Sequence, residues 1–190
     1  MPFNLPIFLT WLRVALIPVF VGVFSLPHAE YPLAWQNMVG ASLFMLAAVT
    51  DWFDGFLARR WNQTSQFGAF LDPVADKLMV AAALILLVQL DRTESWLAVI
   101  IIGREITISA LREWMAQLGK AKSVAVNLIG KLKTTAQMIA IVLLLWSEPL
   151  IPGVSTQLLG TLALYIAAIL TIWSMFYYLR VAAEQFREHG

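Results

Sequence analysis

Apolar residues along this chain fall into six long runs, roughly 6 to 26, 33 to 50, 73 to 90, 95 to 115, 132 to 148 and 156 to 179. A helix needs about 20 apolar residues to cross a bilayer core. The pattern therefore predicts an all-α integral membrane protein with six transmembrane helices, in which the short second and fifth runs are completed by adjacent helix. Three breaks carry turn or polar signals: 25–32 contains Pro27, His28 and Pro32, 91–95 is polar, and 147–153 contains Pro149, Pro152 and Gly153. In a bundle that alternates direction, these three loops share one side.

Of the 13 Lys and Arg residues, only Arg92 falls in those loops. Arg59, Arg60, Lys77, Lys120, Lys122, Lys131, Lys133, Arg180 and Arg187 lie in or beside segments of the opposite side. The positive-inside rule makes that side cytoplasmic and puts both termini there. The N-terminal run has neither a basic region ahead of it nor an Ala-x-Ala-like cleavage site, so it is expected to belong to the mature fold. An N-terminal amphipathic segment lying at the surface is expected before the first span, with Trp11, Trp61 and Trp114 as interfacial anchors.

Composition narrows the chemistry. The 190 residues are 60% hydrophobic and 13% charged, a balance that no soluble domain of this size covers with polar surface. The length suits a single domain, 1–190. A net charge of +1 and the lack of a basic run exclude a nucleic-acid surface and leave membrane lipids, small anions or metal ions as partners. There is no cysteine, and His28 and His189 are the two histidines, so any metal must be held by oxygen.

Against this background "DWFDGFLARRWNQTSQFGAFLDPVADK", Asp51 to Lys77, stands out. With Asp51 to Arg60 as helical continuation of the second span, at about 100° per residue, Asp51, Asp54, Gly55 and Ala58 share one face. Gly68, Asp72 and Asp76 are spaced by four and stack along the helix that begins the third span. Four like charges brought together repel, and an Asp at the centre of a membrane helix costs about 2.5 to 3.5 kcal/mol on insertion scales. Divalent cations are the natural compensation. Mg²⁺ in particular combines one or two carboxylates with phosphate oxygens of a substrate, so a diphosphate would complete such a site. Gly55 and Gly68 leave room for a ligand against the helix, and Arg59 is suited to grip a phosphate. The ordinary alternative makes these aspartates helix caps, which fits Asp72 before Pro73 as a helix start.

The segment reads D-x2-D-G-x2-A-R-x8-G-x3-D-x3-D, from Asp51 through Asp54, Gly55, Ala58, Arg59, Gly68 and Asp72 to Asp76. It resembles the signature of the CDP-alcohol phosphatidyltransferase family, which is built on six transmembrane helices. The resemblance implies a two-metal site for Mg²⁺ or Mn²⁺ held by Asp51, Asp54, Asp72 and Asp76, with Asp76 also the general base. It implies that Gly55, Ala58, Arg59 and Gly68 hold the CDP part, and that the protein is a homodimer. The implied chemistry is attack by an alcohol on the β-phosphorus of CDP-diacylglycerol, releasing CMP.

The remaining buried charges bear on the alcohol. "GREITISALREW" puts Arg104, Glu105 and Arg112 on the fourth span, where an Arg must be paired. Arg104 serves either an internal ion pair with Glu105 or an anion pocket. "GKLKTTAQ" opens the fifth span with Lys131, Lys133, Thr134, Thr135 and Gln137; with Arg112 these can receive a phosphate, and Lys131 and Lys133 equally suit topology signals at lipid headgroups. Within the family these two segments resemble the bacterial branch that makes phosphatidylglycerophosphate. That resemblance implies sn-glycerol 3-phosphate as acceptor, bound at Arg104, Arg112, Lys131 and Lys133, and a place in the cell (inner) membrane with the site facing the cytoplasm. "NLPIFLTWLR" resembles the same branch, with Thr10 and Arg13 on the nucleotide side, although Ile7 follows Pro6 where the frequent form has Asn. Inositol phosphate and phosphatidylglycerol are the alternative acceptors. A divalent-cation transporter, from another class, needs acidic ligands near the midplane and access from both faces, whereas these aspartates cluster at one surface.

Overall fold

A computed structural model describes residues 5–61, 66–117, 128–150 and 152–187, without the side chains at 5–7, 52, 54–61, 66–69, 128, 129, 131 and 184–187. Among the described residues the chain is all-helical: α1 (Leu5–Val23), α2 (Leu33–Trp61), α3 (Gln66–Gln89), α4 (Ser95–Gln117), α5 (Leu128–Trp146) and α6 (Thr156–Arg187). Leu33–Asp51 and Thr156–Ala183 are each long and apolar enough to cross a membrane, and Phe8–Val23 and Leu132–Trp146 are shorter apolar stretches. Asp72, Asp76 and Lys77 interrupt the apolar run of α3, and Arg104 and Glu105 that of α4.

Two boundaries differ from the sequence-based expectation. α3 begins at Gln66, ahead of the apolar run at 73–90, so Gly68, Asp72 and Asp76 share one helix as their spacing implied, Pro73 lies inside it, and the alternative in which Asp72 caps it does not hold. A proline inside a helix removes one backbone bond and crowds the preceding turn, yet neighbouring helices make it tolerable in membrane bundles. α1 is continuous from Leu5, so no separate amphipathic helix precedes it among the described residues. Its early turns are themselves two-sided, with Thr10 and Arg13 buried and Phe8, Trp11 and Leu12 exposed.

The helices close into a ring in the order α1, α2, α5, α6, α4, α3, and α3 also touches α2 and α5 across its interior. The helix carrying Asp72 and Asp76 thus meets four of the others. One half of the bundle is an apolar core drawn from all six helices, including Phe20, Phe44, Leu84, Ile101, Ile141 and Leu164. Close packing holds the helices against one another. Gly40 illustrates it: a Cβ there would collide with the Phe24 ring, which packs edge-on against Phe20 at 5.8 Å. At Gly160 on α6 a Cβ would lie 2.8 Å from Leu144 Cγ on α5. Along α6, Ile169, Trp173 and Phe176 are exposed while Thr171 and Ser174 are fully buried, an apolar exterior suited to lipid.

Arg92, the cation of the α3–α4 connection, is a structural clasp. Asp91 ends α3 with φ 55°, and the Asp91 and Arg92 amides close back on Val88 and Leu87 as in a Schellman turn. That turn aims Arg92 across the bundle, where Nη1 donates to the carbonyls of Leu144 and Leu145, each at 3.0 Å, and Nη2 donates to Asn37 Oδ1 at 2.7 Å. Carbonyls at the end of α5, which lack helical partners, are satisfied this way. Burial pulls the Arg92 pKa below its ordinary value, and Glu148 acts in the opposite direction.

Candidate active site

The chemistry-bearing residues gather in the other half of the bundle. α2 runs unbroken through Trp61, so Asp51, Asp54, Gly55 and Ala58 follow one helical face; the side chains of Asp54, Gly55, Ala58, Arg59 and Gly68 lie outside those described. α3 is likewise unbroken over Gly68, Asp72 and Asp76, which line up at one-turn intervals. Asp51 is near enough to feel the charges of both Asp72 and Asp76.

α1 enters this acidic group from the side. Arg13 Nη1 lies 2.8 Å from Asp51 Oδ1, and Thr10 Oγ1 donates to Asp72 Oδ1. Both α1 residues are buried at 1% exposure, whereas the Asp51 side chain keeps 43%, so its carboxylate stays open to a ligand. Such oxygen donors on two facing helices, with more negative charge than Arg13 offsets, fit a hard divalent cation. Among the described residues no three acidic side chains form a ready metal-ligand group, and the Asp54 carboxylate lies outside that set.

A cavity of about 780 Å³ opens between α3 and α4, with Gly130 and Thr134 of α5 at its edge. Asp76 and Lys77 line its α3 wall; Arg104, Glu105, Arg112 and Glu113 line its α4 wall. Its size falls within the usual range for small-molecule sites, about 300–1,000 Å³. Arg104 is fixed by Ser174 Oγ, to which Nη2 donates at 3.0 Å, and by Glu105 Oε1 at 3.4 Å. Arg112 Nη2 donates to the Tyr178 hydroxyl at 3.1 Å. The Nε atoms of Arg104 and Arg112 are buried with no hydrogen-bond partner, while both side chains line the cavity and bring positive charge to it.

Arg104 contacts Glu105, as the ion-pair reading expects, and it also lines the cavity. Lys133 stands apart from the other expected acceptor residues. It is fully buried, pairs with Glu105 and does not line the large cavity; the Lys131 side chain lies outside those described. A second cavity of about 60 Å³ beside Asp76 is bordered by Glu105, Thr134 and Gln137. The bridge formed by Glu105 between Arg104 and Lys133 and the α6 residues Ser174 and Tyr178 were not among the expected site residues. The available signal was the polar spacing Thr171, Ser174, Tyr178 within an apolar run.

The profile of the CDP-alcohol phosphatidyltransferase family matches residues 3–173. Proteins named "CDP-diacylglycerol--glycerol-3-phosphate 3-phosphatidyltransferase" are similar over their whole length. The one from Pectobacterium atrosepticum is 56% identical over 193 residues, covering 99% of this chain and 100% of the relative. That from Sodalis glossinidius is 55% identical over 194 residues, covering 100% of both, and that from Salmonella typhimurium is 55% identical over 186 residues, covering 96% of each. The chain belongs to the CDP-alcohol phosphatidyltransferase family and is a transferase of phospholipid synthesis. The family is generally dependent on divalent metal.

Proposed function

We propose that the chain transfers the phosphatidyl group of CDP-diacylglycerol to sn-glycerol 3-phosphate, giving phosphatidylglycerophosphate and CMP. The names of its full-length relatives favour this reaction. The structural observation that carries it is the shared cavity: Asp76 lines one wall and Arg104 and Arg112 the other.

The acceptor's phosphate binds at Arg104 and Arg112, leaving its hydroxyl to face Asp76. Asp76 takes the hydroxyl proton as the oxygen attacks the β-phosphorus, and the bond to the CMP oxygen breaks. An alcohol is a weak nucleophile near neutral pH, so a positioned carboxylate base is the group this step requires. Asp51, Asp54, Asp72 and Asp76 are the residues to hold Mg²⁺ or Mn²⁺, whose bound charge offsets that of the diphosphate. Thr10 and Arg13 support the acidic group from α1, and Gly55, Ala58, Arg59 and Gly68 serve the CDP part. Lys131 serves the phosphate from the start of α5, and Lys133 acts through Glu105.

In this proposal the chain is one membrane domain over residues 1–190, a homodimer in the cell (inner) membrane. Its six helices span, both termini are cytoplasmic, and the site faces the cytoplasm. The exposed apolar side chains of α6 and the distribution of Lys and Arg support that placement.

The test uses purified protein with CDP-diacylglycerol, Mg²⁺ or Mn²⁺, and a panel of alcohols, following CMP. Glycerol 3-phosphate is expected to give the fastest release. Faster release with inositol phosphate or phosphatidylglycerol would overturn the acceptor, and no release with any alcohol would overturn the activity.

A further inference from the structure

Tyr178 is fully buried and does not line the large cavity, yet both cavity arginines converge on it. The guanidinium carbon of Arg112 lies 5.0 Å from the ring centroid and that of Arg104 5.9 Å, within the range at which a ring face attracts a cation. Arg112 also donates to the phenol oxygen at 3.1 Å. One turn earlier on α6, Ser174 Oγ donates to the Thr171 carbonyl at 3.0 Å and accepts from Arg104 at 3.0 Å. The Ser174 proton is committed, so a lone pair faces the arginine.

Arg104 and Arg112 are about two turns apart on α4, a rise of roughly 12 Å. Two like charges facing one cavity repel, and two long side chains each have many rotamers to lose when they grip a ligand. A ring shared by both guanidiniums weakens the repulsion and removes that freedom before the ligand arrives. Both arginines still line the large cavity, so the clamp does not withdraw them from an anion bound there.

We infer that Tyr178 is a positioning residue for the acceptor site: it holds Arg104 and Arg112 in the arrangement that receives a phosphate, and thereby sets the preference for an anionic over a neutral alcohol. The inference rests on the proposed function. Tyr178 itself touches neither the acceptor nor the reacting phosphorus, and its effect passes through the two arginines.

The experiment measures CMP release by wild type, Tyr178→Leu and Tyr178→Phe, with glycerol 3-phosphate and with glycerol as acceptors, alongside thermal stability in detergent. Tyr178→Leu removes both the ring and the phenol oxygen, and is expected to raise KM for glycerol 3-phosphate about tenfold. Its kcat and its KM for CDP-diacylglycerol should stay within about twofold of wild type, the mark of lost binding rather than lost chemistry. Tyr178→Phe keeps the ring and removes only the acceptor of Arg112, and should raise that KM about threefold. In both variants the preference for glycerol 3-phosphate over glycerol should fall in proportion.

An unchanged KM for glycerol 3-phosphate in Tyr178→Phe overturns the inference, even if Tyr178→Leu does not fold. A parallel loss of kcat, both KM values and stability overturns it as well, because that pattern belongs to a scaffold role. Wild type that releases no CMP with glycerol 3-phosphate overturns the proposed function, and the inference with it. The two failures are therefore distinct.

Discussion

Arg13 on α1 places its guanidinium 2.8 Å from the carboxylate of Asp51 on α2. Arg13 is buried and the carboxylate is partly open, so the contact both offsets charge and aims Asp51. Thr10, one turn earlier on α1, holds Asp72 by donating a hydrogen bond, which orients that carboxylate without offsetting its charge. Residues assigned from sequence to the nucleotide side thus also brace the proposed metal side.

Removing that brace should cost turnover more than folding. Arg13→Gln is expected to lower kcat/KM for CDP-diacylglycerol by about tenfold or more, equivalent to roughly 1.4 kcal/mol of transition-state stabilisation. Steady-state CMP release measures it. An unaltered kcat/KM would reduce the contact to packing.

Asp76→Asn keeps the size of the side chain and removes the base. A positioned general base contributes about 10²- to 10⁴-fold, and the loss in CMP release should fall in that range or exceed it, since the same carboxylate is proposed to hold metal. Near-normal turnover in purified protein would exclude the role.

Arg112→Gln tests the acceptor end. KM for glycerol 3-phosphate should rise by about one order of magnitude, as expected for loss of a charge-assisted contact worth about 1.5–3 kcal/mol. KM for CDP-diacylglycerol should change little, because Arg112 lines the cavity two turns along α4 from Arg104, away from the α1–α2 contacts. Equal changes in both constants would remove the separation of the two subsites.

Metal removal should abolish CMP release. After treatment with a chelator and its removal, Mg²⁺ or Mn²⁺ is expected to restore activity and a monovalent cation is not. Full activity in the stripped protein would contradict the role given to the four aspartates.

Arg92→Ala addresses stability instead. It removes three donated bonds that join the α3–α4 connection to α2 and to the end of α5, leaving buried acceptors unsatisfied. Unfolding in detergent should show a loss of about 2–4 kcal/mol, with kcat per folded molecule retained. A stability equal to wild type would show that the clasp is dispensable.

The periodicity of apolar runs and the spacing of Asp51, Asp54, Asp72 and Asp76 were sufficient to locate six helices and one acidic face on each of two helices. Both are local properties: run length follows from helical rise, and side-chain stacking follows from the turn of the helix. The stacking of Gly68, Asp72 and Asp76 already implied a helix running through Pro73, and packing around α3 rather than a cap at Asp72 carries it through that residue.

Partners across the bundle required the folded chain. Nothing near Thr10 or Arg13 announces that α1 will meet Asp72 and Asp51, nor does the polar loop around Arg92 announce the carbonyls of Leu144 and Leu145. Lys133 and Arg112 read alike as cations on neighbouring spans, but packing buries the first behind Glu105 and turns the second toward the cavity with Tyr178 behind it. Composition and spacing specify which groups the chain possesses and which face of its own helix each occupies. Which groups become partners depends on how helices distant in sequence are rotated and set against one another, and that is decided by side-chain packing over the whole bundle.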